Sequence, residues 1–325
     1  MVVYLQRQMA RRPLIIDEFI SLRWRRKYYD VGEFELHIAN TPANLYEVTT
    51  ADDWVNVWYR GGVEMGVVEN TVITRDEIAL SGRFETKDFE KTVVQKLIAN
   101  KAAPLVMAQA YGGTVDNQSA VTQAANVQWR WNTLLEVETA LARAYNIGFY
   151  KADGVLHLYD GVDRSIQQSE NKPVVFLEDD LNEPTWTLDN TNYYSMAYVA
   201  GEGEGDSRIF VTTGSGSDQL YVDARDLVQE EQTLAEYQAQ LVQRGTEALA
   251  ERVKIDTFES SVSTGSQYQY GRDYALGDVV TVQMASWGKT QNFRITEVEE
   301  VWEKGMKVVY PTFGNPLPEK LTILR

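Results

Sequence analysis

The run over 270–282, Tyr270-Gly271-Arg272-Asp273-Tyr274-Ala275-Leu276-Gly277-Asp278-Val279-Val280-Thr281-Val282, constrains the chain most. It is a tight turn launching a strand meander. Gly277 can take φ > 0, and Asp278 can hydrogen-bond the backbone of its own turn. Val280, Val282 and Met284 then alternate with other residues at the period of a half-buried strand. Phe293 and Ile295 mark a second strand, and Met306, Val308 and Tyr310 a third. The turns between them are Ser286-Trp287-Gly288-Lys289 and Glu303-Lys304-Gly305. Such a module builds sheet and surface, and it holds no nucleophile, base or metal cluster.

The N-terminal part repeats the pattern. Ile20, Leu22 and Trp24 share one face, Asp30-Val31-Gly32 turns the chain, and Phe34, Leu36 and Ile38 share the next inward face. Segments 54–59, 63–74 and 78–82 add hairpin strands. Sequential strands on short turns form antiparallel sheets, and closing them into barrels removes exposed edges. From Lys87 the pattern changes, with Phe89, Val93, Leu97 and Ile98 at helical spacing, followed by a polar stretch over 104–128. A clearer helix starts at Thr133-Leu134-Leu135-Glu136, a capping-box pattern. It carries Leu134, Val137, Leu141 and Ala144 as one apolar stripe, with Gly148 as its stop. A hairpin follows across Ala152-Asp153-Gly154. Strands return over 193–201 and 208–213, and a long helix is expected at about 227–253, with Leu234, Tyr237, Leu241, Ala248 and Leu249 on its apolar side.

The expected fold is therefore α+β and mainly β. It divides into an N-terminal β-barrel-like tube domain (1–90), an α/β middle domain (91–185) and a C-terminal β-barrel-like domain with the long helix (186–325). A chain of 325 residues has room for two or three such domains. It has no cysteine, which removes disulfides, thiolate metal sites and cysteine nucleophiles. Residues 1–13 carry Arg7, Arg11 and Arg12 without an apolar core, so no secretory signal is expected. No run approaches the ~20 apolar residues of a membrane span. The formal charge of −16 disfavours nucleic-acid binding, which depends on neutralising phosphates. An acidic surface does suit a conduit through which DNA passes without sticking.

Four ordered blocks carry a family resemblance. They are Trp24 with Tyr28-Tyr29-Asp30-Val31-Gly32-Glu33-Phe34-Glu35-Leu36, then Asp160-Gly161-Val162-Asp163-Arg164-Ser165, the 271–282 turn and strand, and Pro311-Thr312-Phe313-Gly314. Together they resemble the siphovirus Gp37-like tail proteins. The resemblance implies a structural baseplate hub or tail-tip protein of phages that infect Gram-positive bacteria. It implies a homotrimeric ring whose barrels continue or close the tail tube, located in the virion. Its implied partners are a distal tail or tube protein, the tape measure protein, and receptor-binding proteins or fibres. It implies no catalytic residue and no cofactor. The alternative is a tail-associated module that binds or cleaves cell-wall glycan. Related tail proteins often carry that activity on a C-terminal extension, which is expected to be missing here.

The chain's two histidines, His37 and His157, lie on strands in the polar phase and read as surface or interface residues. Without cysteine, a zinc site would need both plus remote carboxylates. The acidic neighbours Asp52-Asp53, Asp179-Asp180 and Glu299-Glu300 could supply paired carboxyls for glycoside hydrolysis, but an acidic chain produces such pairs by chance. Gly288-Lys289-Thr290 lacks the glycine spacing of a phosphate loop and reads as a hairpin turn. Arg23-Trp24-Arg25-Arg26-Lys27-Tyr28-Tyr29 interleaves cations and aromatics, as single-strand binders do. It reads better as the outer face of a strand contacting an acidic neighbouring subunit. Asp160-Gly161-Val162-Asp163-Arg164-Ser165 and Glu202-Gly203-Glu204-Gly205-Asp206 have oxygen ligands suited to calcium but no EF-hand spacing. The first reads as a turn pinned by Asp163 or Arg164. Trp24, Trp58 and Trp302 read as core or subunit-interface aromatics rather than a sugar-binding face. No catalytic, cofactor or metal residue is assigned.

Overall fold

Antiparallel pairing between the two ends of the chain organises the molecule. The computed structural model describes residues 1–7, 11–49, 55–229, 232–263 and 265–314. Expectations for Asp52, Asp53, Trp54, Glu230, Glu231 and Asn315 lie outside the described residues.

The N-terminal segment contains β1 (Val3–Arg7), β2 (Leu14–Ile16), β3 (Ser21–Lys27), β4 (Glu33–Ala39), α1 (Pro42–Thr49), β5 (Val55–Tyr59), β6 (Gly66–Ile73) and β7 (Glu77–Phe84). Leu22, Trp24, Phe34, Leu36, Ile38 and Leu80 alternate inward as expected and join one apolar cluster. Trp24 is its centre, with ring centroids 4.6 Å from Phe84, 5.2 Å from Tyr59 and 5.6 Å from Phe34. Ile20 keeps the phase of Leu22 but precedes the strand and is 47% exposed.

The middle segment holds β8 (Val93–Val94), β9 (Leu97–Ala102), α2 (Ala103–Tyr111), β10 (Thr114–Asn117), β11 (Ala124–Trp129), β12 (Asn132–Thr133), α3 (Leu134–Tyr145), β13 (Gly148–Ala152) and β14 (Val155–Tyr159). The expected helical stripe Phe89–Val93–Leu97–Ile98 is not a helix. Phe89 is buried by a short 3-10 turn, Glu85–Lys91, whereas β-branched Val93 and Val94 pair with Thr133 and Asn132. Pro104 sits in the first turn of α2, where its missing N–H costs nothing. The capping box at Thr133 and Glu136 forms as expected, with both reciprocal bonds present. The stop, however, is Asn146 in the left-handed conformation (φ 58°), and Gly148 opens β13 instead.

The C-terminal segment holds β15 (Val175–Leu177), β16 (Leu181–Asp189), β17 (Met196–Ala200), β18 (Phe210–Gly214), β19 (Gln219–Asp223), α4 (Leu234–Ala250), β20 (Ile255–Val262), β21 (Val279–Met284), β22 (Lys289–Glu303) and β23 (Met306–Gly314). The long helix is shorter than 227–253. A second capping box, Thr233 with Glu236, sets its start. Leu227 is buried in the preceding turn, where its carbonyl accepts the Tyr237 hydroxyl at 2.9 Å.

Among the described residues the largest sheet has 13 strands, along the path β16-β20-β23-β22-β3-β4-β7-β6-β5-β1-β2, with β21 joined to β22 and to β15. The β22–β3 pairing runs from Glu297 opposite Lys27 to Glu303 opposite Ser21, so the two terminal segments share one sheet. The protein is mainly β, with four α-helices among the described residues.

Candidate interaction surfaces

Two of the sequence blocks meet at one buried carboxylate. Asp278 is 2% exposed. It accepts from the Val162 N–H (2.8 Å), the Arg164 Nε (2.8 Å) and, within its own turn, the Ala275 N–H (2.9 Å). A Cβ on Gly161 would lie 1.7 Å from the Gly277 carbonyl oxygen, so the two backbones touch only because Gly161 has no side chain. Gly277 adopts φ +94° against the Tyr28 ring. Tyr28 closes the junction, its hydroxyl accepting from the Gly161 N–H at 3.1 Å and donating to the Asn146 carbonyl at 2.9 Å. Burial raises the Tyr28 pKa, against the lowering effect of Arg294. This junction ties the N-terminal, middle and C-terminal segments together. Asp163 caps its own turn through the Ser165 N–H at 2.8 Å.

Two cations of the basic run, Arg25 and Arg26, find acids within the chain. On the outer face, Glu299 lies opposite Arg25, Arg25 opposite Glu33, and Glu33 opposite Arg83. Arg25 reaches Glu33 at 3.1 Å and Glu299 at 3.5 Å. Arg83 then grips Glu69 at 2.9 and 3.0 Å, and Lys87 adds a contact at 3.2 Å. Hydrogen bonding by Arg83, helped by Lys87, brings the Glu69 pKa down to about 2. A row of alternating charge thus crosses five strands and floors a cleft of about 500 Å³, whose walls include Arg23, Glu35, Asn70 and Ser81. Cross-strand opposite charges support the sheet. Within the chain, Arg25 already has the acidic neighbours Glu33 and Glu299. Arg26 points the other way, into the interior, where it binds buried Glu64 at 2.6 Å and the Tyr270 hydroxyl at 3.3 Å.

The carboxylate neighbours separate. Strand alternation sends Glu299 to the outer cleft and Glu300 inside, where Glu300 is 3% exposed and accepts the Tyr59 hydroxyl at 2.8 Å. Asp180 accepts the Leu177 N–H at 3.0 Å in a short 3-10 turn. The Asp160 oxygens accept from Ser119 Oγ (2.7 Å) and the Ala120 N–H (2.6 Å), and Glu202 accepts from the Gln229 N–H. No group of three or more potential metal ligands occurs among the described residues. His37 bonds Glu35 at 2.8 Å and also bonds Glu77. Burial alone would lower its pKa, but the two carboxylates outweigh it and raise it. His157 stacks on Tyr150 and bonds Asp116 at 3.0 Å. Gly288 takes φ +61° at the turn into β22, where Lys289 pairs with Met284. Trp24 and Trp302 are core residues, whereas Trp58 is half-buried and stacks on Tyr4.

Sequence reasoning missed a second aromatic surface. Trp287 is 41% exposed, and its ring lies 6.3 Å from that of Trp186 at an interplanar angle of 24°. Trp186 donates to Asp256 at 2.7 Å, Gln291 donates to the other Asp256 oxygen at 2.7 Å, and Lys289 covers the Trp186 ring at 5.0 Å. These tryptophans lie 101 positions apart in the chain, so only the β16–β20 pairing and the turn before β22 bring them together.

The whole-chain arrangement has solved counterparts. The 43 kDa tail protein of prophage MuSo2 from Shewanella oneidensis is similar at 15% identity and a TM-score of 0.63, over 97% of this chain and 99% of that one. A tail protein from Neisseria meningitidis MC58 gives 14%, 0.63, 97% and 96%. Prophage tail protein gp18 from Listeria monocytogenes EGD-e gives 13%, 0.61, 100% and 97%. At these identities the likeness concerns the fold. No curated protein matches the chain. The family model described as Siphovirus ReqiPepy6 Gp37-like protein matches residues 90–315, which takes in the 160–165, 271–282 and 311–314 blocks, while the block at 24–36 lies before it. On that match over most of its length, the chain belongs to the Siphovirus ReqiPepy6 Gp37-like family.

Proposed function

We propose that this protein is a structural baseplate hub or tail-tip subunit of a tailed bacteriophage. Its homotrimeric ring would continue or close the tail tube and anchor peripheral tail proteins. The observation that carries this reading is the fold likeness to three prophage or bacterial tail proteins over nearly the full length of both chains. The division at 1–90, 91–185 and 186–325 belongs to the same proposal, with the outer two segments curling into barrel-like domains around their shared sheet. So do a non-enzymatic role, a virion location, a Gram-positive host, and contacts with a tube protein, tape measure protein and fibres. Head-to-tail contacts close naturally into a ring. A net charge of −16 suits a passage that DNA must traverse without binding.

Native mass together with negative-stain imaging tests the proposal. A threefold ring with a central hole is the expected result. A monomer that stays monomeric when mixed with its neighbouring tail proteins would overturn it. One observation favours the second reading, glycan binding: the Trp287 ring is 41% exposed and lies against half-buried Trp186, with Asp256 and Gln291 beside them, which offers a sugar ring one aromatic face with polar neighbours. Retention of the protein on purified peptidoglycan, lost in Trp287→Ala, would favour that reading.

A further inference from the structure

The segment 190–254 is an insertion at the tip of a hairpin. β16 and β20 pair antiparallel up to Asp189 opposite Ile255, so the chain leaves and re-enters through one two-stranded neck. Between those points β18-β17-β19 forms its own sheet, covered on one face by α4. Ala197, Val199, Ala224, Leu227, Tyr237 and Leu241 make its own small core, separate from the core of the middle segment. A unit with its own core and a thin connection moves as a body unless an interface holds it.

That interface is polar. α4 lies against α3 and β11. Tyr145 of α3 donates to Gln243 Oε1 at 2.7 Å, and Gln243 Nε2 donates to Glu247 Oε1 at 2.9 Å. Gln128 of β11 accepts the Val228 N–H at 3.3 Å, and its carbonyl accepts from Arg244 at 3.2 Å. Arg244 also lies over Trp129, 5.0 Å from the ring centroid. Gln128 Nε2, Gln240 Oε1 and both Glu138 carboxyl oxygens are buried without a hydrogen-bond partner among the described residues. Glu138 is two turns before Tyr145 on the same face of α3. Buried polar groups left unpaired weaken a contact relative to an apolar one.

We propose that 190–254 is a hinged arm, latched to the middle of the molecule by the polar α3–α4 seam and able to swing out on its hairpin neck. The latch responds to protons. Burial pushes the Glu247 carboxyl up to about 7, with Gln243 and Arg244 opposing and Glu251 adding to the rise. Tyr145 and the buried Glu138 are the titratable groups on that face of α3, and burial pushes both up. Arg244, beside Glu247 on α4, is paired with Asp226 at 3.0 Å. Gln128 and Trp129 of β11 do not titrate, nor do Ala197, Val199 and Thr213, the sheet residues that meet α4 at Gly245. A carboxyl whose pKa is higher when docked favours docking fully below the ordinary carboxylate range. It loses that contribution as pH rises through about 7. The open-to-docked ratio should therefore rise on the order of a hundredfold between pH 4 and 8. The inference concerns a single chain and holds whatever ring it enters.

The absence of cysteine makes paired spin labels straightforward. Labels at Thr212→Cys, on the exposed face of β18, and Gln109→Cys, on the exposed side of α2, read the arm against the middle segment. Dilution with unlabelled chain keeps the distance intramolecular. The expected result is one narrow distance at pH 5 and a second, longer one growing towards pH 9. In Glu247→Gln the short distance should persist at both values, and Tyr145→Phe should show the long one already at pH 5. A single distance unchanged from pH 5 to 9 in the otherwise unaltered chain would overturn the arm. An undiminished pH response in Glu247→Gln would overturn the latch.

Discussion

Asp278, Arg164 and Gly161 come from stretches more than a hundred positions apart and form one contact. Asp278→Ala strands two backbone donors and a guanidinium, at a cost of about 3 kcal/mol. Urea unfolding should record a lower midpoint at unchanged slope, and Asp278→Asn should recover part of the loss. Gly161→Ala should be at least as damaging, because its Cβ would meet backbone rather than a side chain that can move. His37 gives a pH-linked test. With its folded pKa raised by Glu77 and Glu35, it supports the fold below its unfolded pKa and loses that support as pH climbs through the raised value. An NMR titration should place His37 above the ordinary histidine midpoint, and Glu77→Gln should bring it back down.

At the scale of elements, both capping boxes can be removed singly. Thr133→Ala and Thr233→Ala should each cost about 1 kcal/mol in thermal or denaturant unfolding. If the arm unfolds on its own, the loss at Thr233 will appear in a separate, earlier transition. These boxes also mark what could be read in advance. Thr133-Leu134-Leu135-Glu136 is a local signal, and the helix starts there. Thr233-Leu234-Ala235-Glu236 is the same signal, but the expected start lay at about 227, seven residues before the first helical residue, Leu234. Leu227 lies before the helix, in the small core that also contains Tyr237, and its carbonyl accepts the Tyr237 hydroxyl. Phe89, Val93 and Leu97 show the opposite failure: residues four apart suggest one helical face, but Phe89 is buried by a 3-10 turn and Leu97 by a strand, while Val93 is exposed and Val94 beside it is buried. The inward phases of β3, β4 and β21 were legible because period-2 alternation is set by each strand alone. Which strand pairs with which was not, so neither the charged row across five strands nor the Trp186–Trp287 surface could be foreseen.

The molecule as a whole is a family member whose proposed ring must present different faces to its two neighbours in the assembly. The charged cleft floored by Arg25, Glu33, Arg83 and Glu69 is largely neutralised within the chain. If it contacts another subunit, that contact should weaken with salt only slightly, whereas one built on unpaired acidic surface should be screened by added salt. Sedimentation of the assembled ring across a salt series separates the two. The β3–β22 seam bears on manufacture. Tyr59 reaches its acceptor Glu300 across 241 positions, and β3 cannot complete its pairing until β22 has left the ribosome. A prematurely ended chain would carry β3 as a bare edge ready for the wrong partner. Closing that edge would make the finished sheet a proof that synthesis has passed Glu303, available before any subunit is admitted to a particle that cannot replace a faulty part.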